Sequence, residues 1–88
     1  MNTQMILEEL LALLEKNGVS IRREPLGGNS GGLTQIKGQN IFFLDTQATA
    51  ADSAALCAEA VAKIVDIEKI YIRPEIRQFI DTHAGKGD

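Results

Sequence analysis

Leu33-Thr34-Gln35-Ile36-Lys37-Gly38-Gln39-Asn40-Ile41-Phe42-Phe43-Leu44-Asp45 is the stretch on which the fold turns. Two short runs, 33–37 and 40–45, flank Gly38-Gln39, a pair suited to a tight turn, so the stretch predicts a β-hairpin. Its second run is the richer one. Successive side chains on a strand point to opposite faces, and Ile41, Phe42, Phe43 and Leu44 therefore present apolar groups on both. A one-sided edge strand has no need of that. Either helices cover both faces or a second subunit covers one.

Upstream, residues 25–32 read Pro-Leu-Gly-Gly-Asn-Ser-Gly-Gly, a flexible connection. Before it Val19-Ser20-Ile21-Arg22-Arg23-Glu24 alternates with period two until Pro25 stops it. The N-terminal segment places Ile6, Leu7, Leu10, Leu11, Leu13 and Leu14 on one broad helical face, with Glu8, Glu9, Glu15 and Lys16 opposite. Asn2 or Thr3 caps its start and Asn17-Gly18 ends it, predicting a helix over 3–17. Downstream, Thr49-x-x-Asp52 resembles a capping box and opens a helix over 50–65. Asp52, Glu59, Lys63 and Asp66 form its narrow polar stripe, and the apolar remainder is wider than one sheet contact requires. Residues 67–72 suggest a short fourth strand. Pro74 suits the first position of a last helix that runs to about residue 82, burying Ile76, Phe79 and Ile80. Residues 84–88 read as a disordered tail.

These elements predict one α+β domain over 1–83, in the order αβββα(β)α. Short loops between the strands predict an antiparallel three-stranded meander with the first two helices on one face.

Composition narrows the classes of function. The chain has 88 residues, a net charge of −3 and a single cysteine, Cys57, so it can form no internal disulfide and no CxxC pair. An acidic balance without tryptophan and with 5% aromatic residues argues against nucleic acid as a partner. No stretch approaches the roughly 18 apolar residues of a membrane span. The first residues carry no basic n-region, and Glu8 and Glu9 interrupt the apolar pattern, so the start reads as an amphipathic helix and the expected compartment is the cytoplasm.

Gly27, Gly28, Asn29, Ser30, Gly31 and Gly32 form the segment that most invites chemistry, since backbone N–H groups of glycine loops cradle anions. It leads into a strand, however, and has neither G-x-x-x-x-G-K-[ST] nor G-x-G-x-x-G spacing. A hairpin loop using glycine's backbone freedom accounts for it. Arg22, Arg23 and Arg73 are candidate partners for an anion at that loop. Their plainer reading, shared with Arg77 paired to Asp81, is as solvated charges. His83 has no second ligand at metal spacing and suits a helix C-terminus. Cys57 reads as a small core residue, Ser30 has no activating base, and Asp45 and Asp52 suit a helix start. No constellation here forms an active site, and neither a metal nor a cofactor is expected.

Gly18-Val19-Ser20-Ile21, Gly31-Gly32-Leu33-Thr34-Gln35-Ile36 and Asn40-Ile41-Phe42-Phe43-Leu44-Asp45 together are similar to small uncharacterised bacterial α/β proteins with a helix followed by a glycine-loop hairpin. Residues 4–65 also resemble the region preceding the zinc helix of ImmA/IrrE-like metallopeptidases. There the helix that carries H-E-x-x-H reads Ala50-Ala51-Asp52-Ser53-Ala54-Ala55-Leu56-Cys57-Ala58-Glu59-Ala60 in this chain. It lacks both histidines, so the likeness implies shape and no peptidase residue.

The sequence therefore points to a small non-catalytic binding or regulatory module that pairs with a second copy as a homodimer, or with another protein. Ile41, Phe43, Leu56 and Ile64 are its candidate interface. The alternative is a small anion-binding protein or enzyme built on the 27–32 loop and the arginines.

Overall fold

The structure, a computed structural model, describes residues 1–27 and 31–84. Expectations placed on Gly28, Asn29, Ser30 and the tail past Ala84 lie outside the described residues. The order is α1 (Thr3–Lys16), β1 (Ser20–Glu24), β2 (Gly32–Ile36), β3 (Gln39–Asp45), α2 (Ala50–Ile64) and α3 (Pro74–Ala84). The class is α+β. The radius of gyration of 12.2 Å matches the roughly 12 Å of a folded chain this long, so the elements form one compact body.

Local signals fix the helix ends. Asn2 Oδ1 accepts from the Met5 N–H at 2.9 Å, and Thr49 Oγ1 accepts from the Asp52 N–H at 3.1 Å. At the end of α1, Gly18 takes φ +84°. The Gly18 N–H donates to the Glu15 carbonyl, and the Val19 N–H donates to that of Leu14. This is a Schellman motif, and its hydrophobic contact is the buried pair Leu14 and Val19.

The sheet order is β1-β3-β2, with β3 parallel to β1 and antiparallel to β2. The expected meander is thus replaced by a mixed sheet in which β3 lies between the other two. Two physical reasons account for this. The connection over 25–31 readily spans the roughly 10 Å that separates strands two places apart. And β3, apolar on both faces, takes the central place, while β1 with Arg22, Arg23 and Glu24 goes to an edge where charge is tolerated. The hairpin turn is Lys37-Gly38, one residue earlier than expected, with φ +51° and +80°. That double positive φ marks the type I′ geometry of a two-residue hairpin.

Register sorts the side chains. Ile21, Phe42 and Leu33 align across the sheet on the face turned to the helices. The core joins Phe42 to Leu7, Leu10, Leu11 and Leu14 of α1, to Ala54, Cys57, Ala58 and Val61 of α2, and to Ile76 and Ile80 of α3. The small side chains of α2 let its neighbours approach closely. Its wide apolar arc is divided among α1, the sheet and α3. α3 packs on α2 and α1 without touching the sheet.

Residues 66–73 form turns where a fourth strand was expected. Asp66 causes this, accepting from the Glu68 N–H through Oδ1 and from the Lys69 N–H through its carbonyl. Arg77 then holds the passage to α3, bonding Glu68 at 2.8 Å and the Ile67 carbonyl at 3.5 Å. Its expected pair with Asp81 also forms, at 3.5 Å. Among the described residues no helix is long and apolar enough to cross a membrane.

Candidate functional site: the helix-free sheet face

The helices lie on the Phe42 side of the sheet, so among the described residues the opposite face carries no helix. The rows that cross it by register are Ser20–Ile41–Thr34, Arg22–Phe43–Gly32, the pair Glu24–Asp45, and the closing pair Gln39–Ile36 of the hairpin. Ile41 is only 8% exposed, whereas Phe43 is half-buried and Ile36 is exposed. Gln39 Nε2 donates to Ser20 Oγ at 3.2 Å across the β1–β3 seam.

Phe43 is the centre of this face. On its β1 side the Arg22 guanidinium stands 5.8 Å from the ring centroid and pairs with Glu24 at 3.2 Å. On its β2 side the register neighbour is Gly32, which has no side chain to cover the ring. The backbone of Gly31 lies directly against the Phe43 carbonyl. An apolar ring with a charged rim on one flank and a gap on the other is suited to receive an apolar side chain from a partner.

A second concavity, of about 280 Å³, opens between the end of β3, Gly31 before β2 and the start of α2. Among the described residues its walls include Gly31, Phe42, Leu44, Asp45, Asp52, Ser53 and Leu56, with no lysine or arginine. Asp45 is buried, and its Oδ1 accepts from the Leu26 N–H and the Gln47 N–H, both at 2.9 Å. The carboxylate thereby ties the loop after β1 to the loop after β3. That is a structural duty, and sequence reading credited Asp45 only with suiting the helix start. An aspartate after an apolar strand and before a loop is the signal that could have found it.

Of the candidate anion set, the described residues lie as follows. Arg22 faces the helix-free side and Arg23 the other, beside Gln4, Leu7 and Leu44. Arg73 pairs with Glu9 at 3.6 Å, next to Leu13 and Tyr71. Gly27 has φ +69° and Gly32 +132°, and Gly28, Asn29 and Ser30 lie outside the described residues.

Of the interface candidates, Phe43 is open on the helix-free face and Ile41 is enclosed there. Leu56 and Ile64 are part-buried on α2, packed against the core. Cys57 is fully buried, and burial pushes its thiol up to about 12. A thiol that stays protonated at neutral pH is no nucleophile. His83 stacks against Phe79, with ring centroids 4.2 Å apart in the last turn of α3. Among the described residues no three His, Cys, Asp or Glu side chains gather as a metal site. No family model, curated protein or solved structure matches the chain.

Proposed function

We propose that the chain is a non-catalytic binding module that works as a homodimer, its partner reaching Phe43 on the side of the sheet that the helices leave open. The observation that carries this reading is Phe43, held half-open on a face with no helix, with Arg22 on one flank and bare Gly32 on the other. A chain of this size buries a smaller share of its surface alone than a larger domain does, and a partner adds to that share. Ile36, exposed on the same face, extends the apolar surface towards the β2 edge.

Size-exclusion chromatography with light scattering on the wild type and Phe43→Asp tests it. The expected result is a dimer for the wild type and a folded monomer for Phe43→Asp, because a carboxylate would be buried without a partner. A wild type that stays monomeric at hundreds of micromolar contradicts the reading.

A further inference from the structure

We infer that the second copy docks on the β2 edge, in one antiparallel register centred on Thr34, and so extends the sheet across a two-fold axis. This rests on the homodimer reading above and names the surface and the alignment.

The two sheet edges differ. β1 carries Arg22, Arg23 and Glu24 and is followed by Pro25, the charges and proline that guard edges against pairing. Set against its own copy, β1 brings arginine towards arginine. β2 reads Gly-Leu-Thr-Gln-Ile, with no charge and no proline. It is an edge without a guard.

The hairpin fixes which β2 groups point outward. Ile36 and Gln39 close a two-residue turn and form a hydrogen-bonded pair, so Thr34 and Gly32 also bond to β3. The N–H and C=O groups of Leu33 and Gln35 therefore face away from the sheet. Centring the two-fold on Thr34 sets Leu33 opposite the partner's Gln35 in both directions. Each such pair exchanges both backbone bonds. This alignment places all of Gly32–Ile36 opposite its copy.

The side chains fit the same register. Thr34 meets its own copy, a favourable cross-strand pair. Ile36 falls opposite Gly32 of the other protomer, where no side chain obstructs it, and beside that protomer's Phe43. The exposed isoleucine thus fills the gap on the open flank of the phenylalanine. The hydrogen-bond donors, the uncharged edge and the Ile36-to-Gly32 fit all select a second copy of this chain as the occupant.

Two variants of the full chain test the edge. In Thr34→Cys the symmetric pair is non-hydrogen-bonded, with Cα atoms about 4.5 Å apart, within disulfide range. Mild oxidation should convert it almost wholly to a disulfide dimer at concentrations where Ser20→Cys on β1 stays reduced. The buried Cys57 does not compete. Gln35→Pro removes one outward donor per copy and leaves the β2–β3 bonds intact. It should weaken the dimer about tenfold or more while circular dichroism stays native. If the wild type dimerises but Thr34→Cys links no faster than Ser20→Cys, the edge assignment is overturned and the dimer reading stands. Undiminished dimerisation of folded Gln35→Pro also overturns it. A monomeric wild type overturns both.

Discussion

Gly31 lies with its backbone against the Phe43 carbonyl, so a methyl group there displaces one strand or the other. Gly31→Ala should lower stability by about 1–3 kcal/mol, read from urea unfolding. Lys37 is the reverse case, a side chain held at φ +51° in a turn that favours asparagine. Lys37→Asn should raise stability by about 0.5–1 kcal/mol in the same measurement. Cys57 makes a pH prediction. Below pH 9 its thiol is neutral whether the chain is folded or unfolded. Above that the unfolded chain releases the proton and the folded chain keeps it up to about 12. Stability should therefore fall as pH rises from about 9, at up to about 1.4 kcal/mol per pH unit, and this slope should be absent in Cys57→Ala. The buried place of Cys57 was legible from its apolar neighbours. The contact that requires Gly31 was not, because it depends on a strand a dozen positions away.

Helix ends were readable because their signals are local. Asn2, Thr49 and Asn17-Gly18 act within a turn of their own position, and all serve where expected. Thr49→Ala removes the cap of α2 and should cost about 1 kcal/mol. Strand order was not readable in that way. The two-sided apolarity of Ile41 to Leu44 called for cover on both faces but did not say which strand lies at the centre, and loop length pointed to a meander. The centrality of β3 decided against it, while the expected packing of α1 and α2 on one face holds. The wide apolar arc of α2 was legible as a pattern, but its use was not. α1, the sheet and α3 divide it inside one chain. Residues 67–72 looked strand-like from composition, and the turn made by Asp66 overrode that pattern.

For the whole molecule, three helices on one side of three strands leave the sheet half-covered and one edge unguarded. Arg22, Arg23 and Arg73 are spread over separate surfaces, and among the described residues the lining of the concavity beside α2 includes Asp52 but no lysine or arginine. The proposed homodimer is the reading drawn from this distribution of apolar and charged groups. Sedimentation equilibrium of the wild-type chain from one to several hundred micromolar tests that most directly. The account predicts a mass that rises with concentration to twice the 9.5 kDa of one chain. A single mass of one chain across the whole range would contradict it.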